Sequence, residues 1–169
     1  MDKSKIPAAQ RAALSLLLDD HRNVKKLFKS FESAKERSEK EQIAQQTCHE
    51  LTVHAQIEEE IFYPGLRGVH EKLDEMLDEA KVEHQVAKDL IAAIEGDLSG
   101  EMLEANYKVL SEYVNHHVQE EENELFKMVI SKNVELGEMA EQMTARKEEL
   151  MGGHGVRLVT KASSPRLVG

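Results

Sequence analysis

The sequence predicts an all-α protein: an up-and-down antiparallel four-helix bundle with an additional C-terminal helix and a flexible basic tail. Three observations predict it. Of the 169 residues, 32% are charged and only 4% aromatic, tryptophan is absent, and Leu, Ala, Glu, Lys and Met are plentiful, which is a helical profile. Apolar residues recur at helical spacing in four segments. Short polar or Gly/Pro stretches separate those segments, and short connections make neighbouring helices antiparallel.

The first helix carries Leu14, Leu17, Leu18, Val24, Phe28 and Phe31, and the polar run Ser33–Ser38 ends it. Ile43, Thr47, Leu51, Ile57 and Ile61 mark the second, with a break expected from Tyr63-Pro64-Gly65 to Gly68. The third has Leu73, Leu77, Ala80, Ala87, Ile91 and Ile94 and closes at Gly96-Asp97-Leu98-Ser99-Gly100. The fourth has Leu103, Leu110, Val114, Val118, Leu125, Met128 and Val129. A fifth amphipathic stretch, Val134 to Met151, is expected to pack on the outside and to stop at Gly152-Gly153. Residues 1–151 therefore read as one domain and 152–169 as a flexible tail. From His154 onward the tail has Arg157, Lys161 and Arg166 and no acid, a composition suited to an acidic protein partner.

Charge and length exclude several functions. A formal net charge of −10 argues against nucleic acid, whose binders present a basic face to phosphates. No stretch is long enough to cross a membrane, and no apolar run follows Met1-Asp2-Lys3-Ser4-Lys5 as in a signal peptide. The lone Cys48 cannot form an internal disulfide, which fits a reducing cytoplasm.

The eight histidines carry the functional signal. At about 100° per residue, His21 shares a face with Leu14, Leu17, Leu18 and Phe28. His54 lies with Thr47, Leu51 and Ile61, His84 with Leu77, Ala80, Ala87 and Ile91, and His117 with Leu110, Val114 and Met128. Each bundle helix thus turns one histidine inward. Glu58 follows His54, and Glu121 follows His117, by one turn. A single core histidine is ordinarily a packed residue with satisfied nitrogens. Two carboxylates on core faces are a different matter, because a buried carboxylate is costly unless paired or bound to metal.

A second test concerns height. The His54/Glu58 and His117/Glu121 pairs centre on Gln56 and Gln119. The midpoints between His21, Gln56, His84 and Gln119 fall near Ser38, at His70 and near Glu101, all at expected turns. Folding there brings His21, His54, Glu58, His84, His117 and Glu121 to one level. His49-Glu50-Leu51-Thr52-Val53-His54 comes close to the zinc-protease pattern H-E-x-x-H, but that motif needs both histidines at i and i+4 on one face. His49 sits about 140° round from His54, on the solvent side. His70, His116 and His154 read as ordinary, Glu59 and Glu60 as pointing away, and Cys48 as a small core residue. The tyrosines read as packing, with Tyr113 nearest the site.

At this point the sequence resembles the haemerythrin-like (HHE cation-binding) family. The resemblance rests on Asp20-His21-Arg22-Asn23-Val24, His54-Ala55-Gln56-Ile57-Glu58-Glu59-Glu60-Ile61-Phe62-Tyr63-Pro64, Glu83-His84, and His117-Val118-Gln119-Glu120-Glu121-Glu122-Asn123-Glu124-Leu125-Phe126, spanning about residues 10 to 130. It implies a non-haem di-iron centre with oxo or hydroxo bridging, ligated by His21, His54, His84 and His117 and bridged by Glu58 and Glu121, with Glu122 as the alternative second bridge. Zinc or manganese would also suit imidazole and carboxylate. The oxygen carriers of the family have a further histidine where this chain has Lys88, a core-facing position. A site with one ligand fewer favours reaction with oxygen, peroxide or nitric oxide over reversible carriage, and Lys88 would donate a hydrogen bond to a bound ligand or snorkel outward. Ferritin-like di-iron proteins need Glu-x-x-His, and no histidine here has a glutamate three residues before it.

Three functions follow from these readings. The chain is a metal protein that binds, senses or consumes a small oxidant or handles iron, or it is an oxygen or iron carrier or store. Alternatively, it is a helical interaction module with a structural metal.

Overall fold

The computed structural model describes residues 1–152; apart from Gly152, the tail expected at 152–169 lies outside them. The described chain is all-α. Helix α1 spans Ala8–Ser33, α2 Arg37–Ile57, α3 Tyr63–Leu66, α4 Glu71–Glu95, α5 Leu103–Glu120, α6 Phe126–Ser131 and α7 Gly137–Gly152. One turn, Glu58–Phe62, carries α2 on into α3, and another, Glu121–Leu125, carries α5 on into α6. The long helices touch in a closed order, α1 to α2, α2 to α4, α4 to α5 and α5 to α1, and α7 lies along α1 and α2. No helix among the described residues is long and apolar enough to cross a membrane.

The first and third expected breaks fall at 34–36 and 96–102. The middle one falls later than the Tyr63-Pro64-Gly65 signal suggested: helix continues to Leu66 and the chain breaks at 67–70. Pro64 sits in the first turn of α3, where a missing N–H is tolerated. Gly68 takes a φ of 88°, a conformation that favours glycine. His70 caps α4, its Nδ1 accepting from the Lys72 N–H. After α6, Asn133 adopts a φ of 54°. Its N–H bonds to the Ile130 carbonyl and that of Val134 to the Val129 carbonyl, a Schellman closure that sends the chain back toward α7.

The apolar interior is divided. One cluster includes Leu14, Leu17, Leu18, Ile57, Phe62, Leu66, Leu73, Leu77, Phe126, Val129 and, from α7, Ala140 and Met143. The other includes Val24, Phe28, Phe31, Cys48, Leu51, Ile91, Ile94, Leu103, Tyr107, Leu110, Val114 and Val118. Cys48 is fully buried there, and burial pushes its thiol up to about 12. A thiol reagent at neutral pH should therefore leave it unmodified in the native protein and label it fully in denaturant, since the thiolate is the nucleophile. Rapid native labelling would contradict its core placement.

Candidate metal centre

Between the two apolar clusters lies a polar layer. Helix α1 supplies His21, α2 His54, α4 His84 and α5 His117, and the turns after α2 and α5 supply Glu58 and Glu121. Glu58 is 0% exposed and Glu121 3%. The ligand atoms of His21, His54, Glu58 and Glu121 lie within 4.8 Å of one another, as do those of Glu58, His84 and His117. Glu58 belongs to both groups: its Oε1 is 3.4 Å from His54 Nε2 and 3.2 Å from His84 Nε2. Glu121 lies 3.2 Å from His21 Nε2 and 3.8 Å from His117 Nε2. The structure thus brings together the six residues expected at one level, His21, His54, Glu58, His84, His117 and Glu121. Half-buried His49 and exposed His70 belong to neither group, exposed His116 lies beside Glu83 and Glu120, and His154 is outside the described residues.

Both carboxylates open a widened turn. The Tyr63 N–H bonds to the Glu58 carbonyl and the Phe126 N–H to the Glu121 carbonyl, a five-residue span in place of the usual four. In a regular helix Tyr63 would lie about 140° round from Glu58; the extra residue brings it beneath Glu58 instead. Tyr63, not Tyr113, is therefore the tyrosine at the site. Its hydroxyl donates to Glu121 Oε2 and lies 3.4 Å from His84 Nε2. Burial, reinforced by Glu121 and Glu58, holds the phenol well above its ordinary value.

Each histidine is also held from behind by a carboxylate on another helix or turn. Nδ1 of His54 meets Asp20 at 2.8 Å, and at 2.7 Å Nδ1 of His84 meets Glu59, that of His117 meets Glu83 and that of His21 meets Glu122. Such bonds fix ring orientation and leave Nε2 as the donor atom. The expectation that Glu59 points away is thus corrected. A residue next to a core-facing one lies about 100° round, on the flank where the neighbouring helix passes. Glu122 likewise serves the back of His21, and Glu121 is the inward carboxylate. Lys88 is not core-facing either: its side chain is 48% exposed and its ammonium lies 2.7 Å from Glu59 Oε1. Two more cations brace this outer layer, Lys147 at 2.5 Å from Asp20 and the N-terminal amine at 3.3 Å from Glu122.

These outer carboxylates escaped the sorting of residues into inward and outward, yet a signal for them exists. Adding 63 to Asp20, His21, His54, Glu58, Glu59 and Tyr63 gives Glu83, His84, His117, Glu121, Glu122 and Phe126. The contacts obey the same repeat: Asp20–His54 matches Glu83–His117, and Glu59–His84 matches Glu122–His21. Half of the chain predicts the network of the other half.

The chemistry of this layer fits a metal. His21 Nε2, His117 Nε2, both oxygens of Glu58 and Oε1 of Glu121 are buried without a hydrogen-bond partner, although such groups are costly to leave unsatisfied. Burial disfavours imidazolium, but the facing carboxylates overcome it and hold all four histidines above their ordinary range. The layer attracts positive charge, and its imidazole and carboxylate donors suit iron, zinc or manganese. A cavity of about 370 Å³ reaches the four histidines, walled by Val24, Leu51, Ala87, Ile91, Val114 and Val118 and edged by Thr52, Gln56, Glu59 and Lys88. On another side, an acidic cleft includes Glu79, Glu83, Glu120 and Glu124 and reaches His117 and Glu121.

Comparison with curated proteins and with solved structures finds no match. The family model described as Hemerythrin HHE cation binding domain matches residues 12–129. That span contains the whole polar layer, its repeat and the outer carboxylates, and the chain belongs to this family of cation-binding helical domains.

Proposed function

We propose that the chain, an up-and-down four-helix frame, holds a pair of iron ions on His21, His54, Glu58, His84, His117 and Glu121, and that this centre binds or reacts with a small oxidant: oxygen, peroxide or nitric oxide. The carrying observation is the set of buried, unpartnered imidazole nitrogens and carboxylate oxygens converging from both halves of the chain. Glu58 and Glu121, each lying between the two pairs of histidines, suit bridging positions. When bound, iron would supply redox chemistry toward the oxidant. The chain's own residues supply the rest. Asp20, Glu59, Glu83 and Glu122 orient the rings, and the apolar cavity admits a small uncharged molecule to the histidine layer while limiting water. Handling of iron is a second reading, favoured by the acidic cleft that reaches His117 and Glu121, because a negative cleft concentrates cations.

Metal analysis and optical spectra of anaerobically purified protein, before and after admission of air, test the proposal. Iron in the preparation and a near-ultraviolet change on oxidation are expected. Stoichiometric zinc with no spectral response to air would instead favour a structural metal in a helical interaction module.

A further inference from the structure

At one buried position beside the centre the repeat replaces a phenol with a plain phenyl ring. Tyr63 and Phe126 are equivalent, each following its carboxylate through a widened turn and each lying against a histidine. Phe126 stacks on His21 with ring centroids 6.0 Å apart and planes at 6°; Tyr63 lies against His84 at 5.4 Å and 41°. Their difference is a single hydroxyl. Its effect is visible atom by atom. Glu58, the counterpart of Glu121, has both oxygens unpartnered, whereas Glu121 has only Oε1 unpartnered because Tyr63 donates to Oε2. His21 Nε2 is unpartnered, whereas its counterpart, His84 Nε2, has the phenol oxygen 3.4 Å away.

We infer that Tyr63 makes the two halves of the centre unequal, its hydroxyl acting on the His84–His117 side through Glu121 while Phe126 leaves the His21–His54 side without a counterpart. The inference rests on the proposed metal pair. A hydrogen bond to a carboxylate oxygen withdraws charge from it, and in a dry interior that effect is large. Glu121 is therefore the weaker donor of the two bridging carboxylates. A buried phenol needs a partner, and among the described residues this hydroxyl faces Glu121, His84 and Glu58, all in this layer, so it is committed to the site rather than to packing. Tyr63 is a positioning residue that tunes the metal through Glu121, in the way outer hydrogen bonds tune metal ligands.

The test loads wild type, Tyr63→Phe, Phe126→Tyr and the double exchange with iron-57, and follows metal content and Mössbauer spectra. Wild type should give two distinct quadrupole doublets of equal area. Tyr63→Phe should draw them together toward one, at unchanged metal content and helicity. Phe126→Tyr, which adds the missing hydroxyl, should also narrow the difference, and the double exchange should restore two. A single doublet in wild type, or two doublets unmoved by either single substitution, overturns the inference. Metal analysis separates that failure from a deeper one: a wild-type protein that takes up no pair of ions brings down the proposed centre itself.

Discussion

Replacing Glu58 with alanine is expected to empty the centre. Glu58 is fully buried, both of its oxygens lack hydrogen-bond partners, and its Oε1 faces His54 on one side and His84 on the other. No other side chain is shared by the two buried groups of metal-competent residues, from which the more exposed cluster of Glu83, His116 and Glu120 is separate. Its loss removes a donor from both positions and leaves the imidazoles of His54 and His84 without the carboxylate that faces them. Changes to outer-layer partners of metal sites cost roughly 10–100-fold in affinity, so removal of a shared ligand should weaken binding by about a hundredfold or more. His49→Ala, His70→Ala and His116→Ala belong in the same experiment as controls, because those histidines lie outside the two groups. Metal content after dialysis against a weak chelator reads the effect. Retention of the full complement by Glu58→Ala, or equal loss from His49→Ala, would refute the proposed ligand set.

The legible part of this site was the part that helical periodicity addresses. A core-facing residue repeats with its apolar neighbours, so His21, His54, His84 and His117 declared themselves, and Glu58 and Glu121 followed one turn on. Their common height could be read from turn midpoints, although the middle turn began later than Pro64 suggested. Periodicity is silent about flanks. Asp20 and Glu83 precede a core histidine, and Glu59 and Glu122 follow a core glutamate; each lies a quarter-turn or so away, where a neighbouring helix decides what it meets. The widened turns at Glu58 and Glu121 were equally hidden, because a one-residue change of phase over five residues barely disturbs an apolar pattern. That is why Tyr63 was overlooked in favour of Tyr113. For Lys88 the sequence left two outcomes open, and the structure shows the outward one: a long aliphatic stem leaves its charge outside, beside Glu59. The 63-residue repeat would have exposed most of these positions, since it pairs Asp20 with Glu83, Glu59 with Glu122 and Tyr63 with Phe126.

Burial ranks the outer carboxylates. Of the four, Asp20 is the most buried, with its side chain 10% exposed, against 15% for Glu122, 22% for Glu83 and 32% for Glu59. Charge interactions strengthen as water is excluded. Asp20→Ala should therefore cost the most metal affinity of the four alanine substitutions, about 100-fold, and Glu59→Ala the least, about 10-fold. Asp20→Asn should fall between wild type and Asp20→Ala, because the amide oxygen still accepts from His54 Nδ1 but without the charge. Alanine is a favourable residue within α1, and Lys147, with its side chain 34% exposed, can return to water, so the helix content of Asp20→Ala should match wild type. Competition titrations against a chromophoric chelator give the affinities, and nitrogen-15 shifts of His54 report whether its Nδ1 keeps the proton. A larger loss from Glu59→Ala than from Asp20→Ala would show that burial does not set the strength of this outer layer, and an unchanged affinity in Asp20→Ala would show that the ring of His54 needs no such support.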